Sequence, residues 1–302
     1  MSGRQSADTL VMVRPHRFHP NPQTAADNTF QTDVNEQDAS IARQAYDEVT
    51  AAVQKLRDHG ITVHLFEDDG TWGTPDSVFP NNWFSVHKGG RMALYPMYAE
   101  NRRLERREDI ISAIKQADDI SDVKDYASFE AKDLFLEGTG SMVLDRVNKL
   151  SYVALSKRSD VGVLEQFCDD FGYMAVTFTA TDNDGVPIYH TNVMMGVGTG
   201  YAVVCLESIR DAGERDHVAT QLKDTGHEVI EITFDQVECF AGNVLEVSIG
   251  DDRYLAISQM ALDVLTSDQI ERIEQYAKIL AFDIPTIELA GGSIRCMMAE
   301  IF

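Results

Sequence analysis

The chain has 302 residues, 44% of them hydrophobic and 25% charged, and its 26 Lys+Arg against 49 Asp+Glu give a formal net charge of −23 at pH 7. That charge repels a phosphate backbone and argues against a nucleic-acid partner. No apolar run approaches the roughly 20 residues of a membrane span, and the amino-terminal MSGRQSADTL carries no extended apolar stretch of a secretory signal, so the cytoplasm is the expected compartment.

Taken in chain order, the first clear element is an amphipathic helix that places Ile41, Ala45, Val49, Val53 and Leu56 on one face. Gly60 stops it and the strand ITVHLF follows. The same helix end, glycine and alternating strand return in FCDDFGYMAVTF from Phe167 and in LKDTGHEVIEI from Leu222. Looser versions run over residues 103–123 and 267–289. Between the helices lie short strand-like runs, MALYP, SMVLD, SYVALS, YAVVCL, NVLEVS and RYLAIS. About five units of roughly 60 residues, each two strands, a helix and a further strand, signal a repeat architecture. The predicted fold is α/β: a five-fold pseudosymmetric α/β propeller of ββαβ-type units around a central site, in a single domain over residues 1–302. An open α/β sheet is the alternative that the same local signals permit.

Four segments place polar residues where core is expected. PDSVFPNNWFSV, from Pro75, sets Asp76, Asn81 and Asn82 around a Val-Phe-Pro turn before an apolar strand. LFLEGTGSMVLD puts Glu137 at the end of an apolar run, before Gly138 and Gly140; a carboxylate there is either paired or functional. VPIYHTNVMMGVG places His190 and Asn192 on one face if the stretch is a strand. In IELAGGSIRCMMAEIF a Gly-Gly-Ser loop delivers Cys296 beside Arg295, and a neighbouring cation favours a thiolate. Taken singly, each segment has a plainer reading: an Asx turn, a surface turn, a satisfied core histidine, a buried cysteine. The other cysteines, Cys168, Cys205 and Cys239, are widely spread with no C-x-x-C pair. Neither a zinc site nor a disulfide framework is indicated, and no metal or organic cofactor is expected.

Together, a Cys, a His and a carboxylate from distant parts of the chain form a covalent catalyst. The order PDSVF-x-NN, LEGTGS, HTN and GGS-x-RC, with VMVRPHRF-x-PN near the start, resembles the pentein superfamily of guanidine-modifying enzymes. Within it the chain is most similar to the bacterial citrulline-utilisation hydrolase branch. The resemblance implies a five-bladed ring. It implies Cys296 as nucleophile, His190 as general acid/base and Glu137 as the group that orients His190 and holds it charged. It places Asp76 as a substrate-binding aspartate, Arg158 as the grip on a substrate α-carboxylate, and Arg103, next to Arg102, as a second such arginine.

The departures from the superfamily pattern bear on substrate. Arginine deiminases carry aspartates at the positions of Asn82 and Asn192, where two carboxylates pin a cationic guanidinium. A neutral amide suits a neutral ureido group better. The resemblance therefore implies a small-molecule substrate, citrulline or an arginine-like amino acid, most simply citrulline cleaved to ornithine, ammonia and carbon dioxide. Arginine dihydrolase or deiminase, amidinotransferase and a non-catalytic binding protein of the same fold are the alternatives. Homo-oligomerisation is left open by the sequence.

Overall fold

The computed structural model of the chain describes residues 4–32 and 39–302, so the first three residues of the amino-terminal stretch considered above lie outside it. Helix, glycine and strand fall where the spacing puts them. Strand β1 (Thr9–Pro15) leads to helix α1 (Ala39–Asp58) and then to β2 (Thr62–Asp68), which pairs parallel with β1. Ala45, Val49, Val53 and Leu56 on α1 bury against Leu10 and Met12 of β1, each large side chain contributing about 1.5–3 kcal/mol. Gly60 ends the helix at φ +86°, a conformation open to glycine and costly for other residues.

The pattern repeats. Strands β3 (Phe84–His87) and β4 (Arg91–Leu94) form an antiparallel pair, and helices α2 (Glu100–Arg103) and α3 (Glu108–Ala117) return the chain to β5 (Asp122–Asp125), parallel to β4. After the short helix α4 (Gly138–Ser141) come β6 (Val143–Asp145), β7 (Leu150–Ala154), α5 (Val161–Phe171) and β8 (Met174–Phe178). Next are β9 (Met195–Val197), β10 (Tyr201–Val204), α6 (Ala212–Asp224) and β11 (Glu228–Glu231), then α7 (Phe234–Glu238). The last full unit is β12 (Leu245–Ile249), β13 (Asp252–Ser258), α8 (Gln259–Val264), α9 (Ser267–Glu274) and β14 (Lys278–Phe282). Helix α10 (Pro285–Glu288) follows, and β15 (Ala299–Ile301) pairs antiparallel with β1.

The described residues thus form five three-stranded sheets, each with one antiparallel and one parallel pairing. This is an α/β fold of five similar units rather than one open sheet. Among the described residues no helix is long and apolar enough to cross a membrane.

Two local expectations are corrected. Residues 191–193 form a single 3₁₀ turn before β9, not a strand, so His190 and Asn192 are not alternate residues on one pleat. Glu137 does not end a strand either: Leu136 makes only an isolated bridge to Ser159, and Glu137 stands at the amino end of α4. In both places a polar turn precedes the first strand of a sheet. That turn, repeated from unit to unit, is what carries the candidate site.

Candidate active site

Turns ahead of four sheets, together with α4 ahead of β6, bring distant segments together. Asn82 precedes β3, Asn192 precedes β9, Asn243 precedes β12 and Cys296 precedes β15. Close approach at α4 requires glycine. A Cβ at Gly140 would stand 2.4 Å from Asn82 Oδ1 and 2.7 Å from His190 Nδ1, well inside contact distance. The turns are also stitched to one another. Thr191 Oγ1 donates to the Ser141 carbonyl and accepts from Ala154 N–H, and Glu137 N–H donates to the Arg158 carbonyl.

A small cavity of about 20 Å³ lies among them, lined by Asp76, Asn82, Arg102, Arg158, Tyr189, His190 and Cys296, with Thr24 and Asn28 on one side. It has room for about one water molecule. Cys296 is 3% exposed, His190 1% and Glu137 0%. The sulfur is held by two amides: Asn192 Nδ2 donates to Sγ at 3.3 Å and Asn243 Nδ2 at 3.2 Å. Asn243 cannot turn over, because its Oδ1 accepts Arg295 N–H at 3.0 Å, which leaves Nδ2 for the sulfur. Asn82 Oδ1 and Asn192 Oδ1 are buried without a hydrogen-bond partner. Such unspent acceptors at a cavity wall are costly unless a ligand uses them.

His190 Nε2 donates to Glu137 Oε2 at 2.8 Å, which leaves Nδ1 as the ring's free acceptor. Glu137 Oε1 accepts Tyr98 N–H at 2.9 Å. Burial opposes a charge on Glu137, but the Arg158 guanidinium 3.5 Å away, the His190 hydrogen bond and Arg102 at 3.9 Å outweigh it and hold the carboxyl far below the usual range. His190 behaves oppositely to the expectation that Glu137 keeps it charged. Burial pushes its pKa down, Glu137 pulls it up, and Arg158 and Arg102 add to the downward push, so the ring rests neutral.

The two arginines are heavily engaged. Arg158 Nε donates to Asp27 Oδ2 at 3.0 Å, its Nη2 donates to Asp27 Oδ1, and its guanidinium lies 4.8 Å over the Tyr189 ring. Arg102 forks onto Glu105 at 2.8 and 2.9 Å and lies 3.6 Å from Asp76. Asp76 in turn accepts from Asn21 Nδ2 at 2.8 Å.

The structure places two sequence-derived candidates as follows. Arg103 points away, donating to the Met97 and Tyr98 carbonyls and facing Glu130. Its neighbour Arg102 takes the cavity position because α2 turns that residue inward, three positions after buried Ala99. Arg295, the cation next to the thiol in sequence, sends its guanidinium to Glu300 and to the Met298 carbonyl.

Sequence reading also missed Asn243, Tyr189, Asn21 and Asp27. Asn243 had a signal: in AGNVLEV it stands just before a strand, as Asn82 does in NNWFSV and Asn192 in TNVMMGV. A much larger concavity of about 860 Å³ is lined by residues such as His16, Arg17, Tyr46 and Asn101. None of Cys296, His190 and Glu137 lines it, whereas Cys296 and His190 both line the small cavity, which is therefore the candidate site. Among the described residues no group of three or more His, Cys, Asp or Glu side chains could hold a metal ion.

The fold is similar to that of the N-terminal domain of ArgZ, an arginine dihydrolase from the ornithine–ammonia cycle in Cyanobacteria, with a TM-score of 0.75 at 17% identity over 97% of this chain and 98% of that one. Against whole ArgZ this chain spans only 40% of the length. Unliganded AgrE gives a TM-score of 0.75 at 16% identity over 97% of this chain and 39% of that chain. A dimethylarginine dimethylaminohydrolase variant bound to S-methyl-L-thiocitrulline gives 0.63 at 14% identity, covering 97% and 99%. No curated protein sequence matches. The sequence profile described as "N,N dimethylarginine dimethylhydrolase, eukaryotic" matches residues 14–302. The chain therefore belongs to the dimethylarginine dimethylhydrolase family, within the pentein superfamily.

Proposed function

We propose that the chain hydrolyses a carbon–nitrogen bond of a ureido or guanidino amino acid through a covalent intermediate on Cys296, with citrulline as the best-fitting substrate. The observation that carries this reading is the set of amides around the thiol. Asn192 and Asn243 donate to Sγ, and Asn82 Oδ1 and Asn192 Oδ1 stand ready to accept N–H groups. A ureido group offers such N–H donors and carries no charge, whereas a guanidinium calls for carboxylates.

The chemistry follows from the neutral His190. Its free Nδ1 takes the thiol proton as Sγ bonds to the ureido carbon. The tetrahedral intermediate collapses with loss of the side-chain amine, to which His190 returns the proton, and ornithine departs. Water then adds to the S-carbamoyl group, giving a proton to His190, and the C–S bond breaks. The carbamate released divides into ammonia and carbon dioxide. Glu137 fixes the ring through its Nε2–H, Asp76 stands near the α-ammonium, and Arg158 and Arg102 serve the α-carboxylate. On this reading the five units close into one ring-shaped domain around the cavity. Supporting it, β15 packs on β3, β6 on β9 and β9 on β12, and Ala7 bridges Val247.

A second reading, arginine dihydrolysis, is supported equally by the similarity to ArgZ. The test is ornithine and ammonia release from citrulline and arginine side by side, with Cys296→Ser as the control. Turnover of citrulline alone supports the ureido reading, and ornithine from arginine through transient citrulline supports the dihydrolase. Arginine stopping at citrulline would mean that the argument from Asn82 and Asn192 is wrong.

A further inference from the structure

The guanidinium expected to receive a substrate's carboxylate is already holding one. Asp27 takes the Nε/Nη2 edge of Arg158 bidentately, the geometry in which arginine binds any carboxylate most strongly. The remaining Nη1 edge faces Glu137 at 3.5 Å. Arg102 is forked onto Glu105. Neither arginine at the cavity is therefore left for an incoming acid.

Asp27 differs from the other acids in where it sits. Glu137 and Glu105 are fully buried, on or beside short helices. Asp27 belongs to the irregular stretch after β1, and its side chain is 16% exposed. The rest of that stretch is held by neutral donors or acceptors at most of its ties: Asn21 to Asp76 and, in both directions, to Asn101, Gln23 Oε1 from Asn101 N–H, Asn28 Nδ2 to the Ala290 carbonyl at 3.2 Å, and Thr32 N–H to the Leu289 carbonyl at 2.9 Å. Thr24 and Asn28 of the same stretch wall a cavity that holds about one water. A cavity of that size does not admit an amino acid, so this wall has to move for one to reach Sγ, and the paired hydrogen bonds of the Arg158–Asp27 ion pair fasten it beside the site.

We propose that Asp27 is a specificity residue, a tethered stand-in for the substrate's α-carboxylate that latches the site shut until a ligand exchanges its own carboxylate for it. The inference rests on the reading of Arg158 given under Proposed function. Exchange of one carboxylate for another is nearly balanced, so an α-amino acid opens the site at small net cost. A decarboxylated analogue brings nothing to replace Asp27 on Arg158, so Asp27 stays in place and the analogue is disfavoured. The latch thereby selects for the α-carboxylate without touching the reacting carbon.

The test compares wild type with Asp27→Asn and Asp27→Glu. The first readout is alkylation of Cys296 by iodoacetamide, followed on its own peptide, with buried Cys168 and Cys205 as internal references for general loosening. Asp27→Asn is expected to speed Cys296 alkylation several-fold while the references stay slow, and Asp27→Glu to remain near wild type. The second readout is turnover of citrulline and of its decarboxylated counterpart, N-carbamoylputrescine. Asp27→Asn is expected to lower the KM of both substrates, that of N-carbamoylputrescine more, so that the preference for citrulline falls by about tenfold, the scale of one charge-assisted hydrogen bond. Cys296 alkylation at the wild-type rate in Asp27→Asn overturns the latch, whatever turnover shows. A rise in KM for both substrates would instead make Asp27 a partner of the substrate ammonium and also overturn the proposal. Wild type silent on citrulline, with faster alkylation in Asp27→Asn, upholds the latch and sinks the citrulline reading.

Discussion

Among the described residues, two buried clusters of arginine and glutamate differ in place, and one of them borders the Cys296 cavity. Near β15, Arg146 and Arg295 share the single carboxylate of Glu300 at 3.3 and 3.0 Å. Their other polar contacts are to backbone carbonyls, Arg295 to Met298 and Arg146 to Val86 at 3.4 Å, and the Arg146 guanidinium lies 4.0 Å over the Phe302 ring. At the cavity, Arg102 and Arg158 meet Asp27, Asp76, Glu105 and Glu137, and beside them stand a thiol, an imidazole and two unpartnered amide oxygens. Buried charge is common to both clusters. Unspent acceptors beside the Cys296 thiol distinguish the second.

The largest expected effect breaks the chemistry and leaves the structure alone. Cys296→Ser should lower turnover by about 10⁴-fold or more, with thermal unfolding unchanged. At the other cluster the expectation is reversed. Glu300→Gln strands two buried guanidiniums and should cost about 3–5 kcal/mol of stability, read as a lower denaturation midpoint, while the activity of the folded fraction persists. Were Glu300→Gln to abolish turnover at full stability, the assignment of that cluster to structure alone would be wrong.

The neighbouring arginines sharpen the same contrast on one helix turn. Arg102→Met should raise the KM for an α-amino acid by about ten- to a hundred-fold, the loss of a charge-assisted pair. Arg103→Met, pointed at backbone carbonyls, should change it by less than about twofold. Equal effects would contradict the assignment of Arg102 to the cavity.

A smaller effect is in pH. The folded pKa of His190 is depressed below its unfolded value of 6.5, so its neutral form favours folding above that value and stability is lost as pH falls below it. Glu137, also depressed in the folded chain from 4.5, adds a second loss as pH falls below 4.5. In activity, the acid limb due to His190 should lie below pH 6.5. Because Glu137 pulls the His190 value up, Glu137→Gln should move that limb further toward acid. A shift toward neutral pH would refute the field described here.

Much of the fold was legible because its signals are local. Gly60, Gly172 and Gly226 each follow an amphipathic or mixed helix and precede a short apolar strand, and each adopts positive φ. The site was legible in part, since Asp76, Asn82, Glu137, His190 and Cys296 interrupt apolar runs. What escaped depended on three-dimensional direction. Arg102 and Arg103 differ only in helix phase. Arg295 is bonded to the next residue of the chain but turns toward Glu300. The resting charge of His190 depends first on its burial, and then on Glu137 and two guanidiniums from segments far away in sequence. Asp27 lies in a polar stretch whose composition marks a loop and nothing more.

The most direct test of the covalent account is intact-peptide mass spectrometry of the wild-type protein, quenched in acid during turnover of citrulline. The account predicts a carbamoyl adduct on the peptide carrying Cys296, lost in Cys296→Ser and accumulating in His190→Ala if attack still proceeds. Sustained release of ornithine with no adduct on Cys296, or release that survives Cys296→Ser, would contradict it.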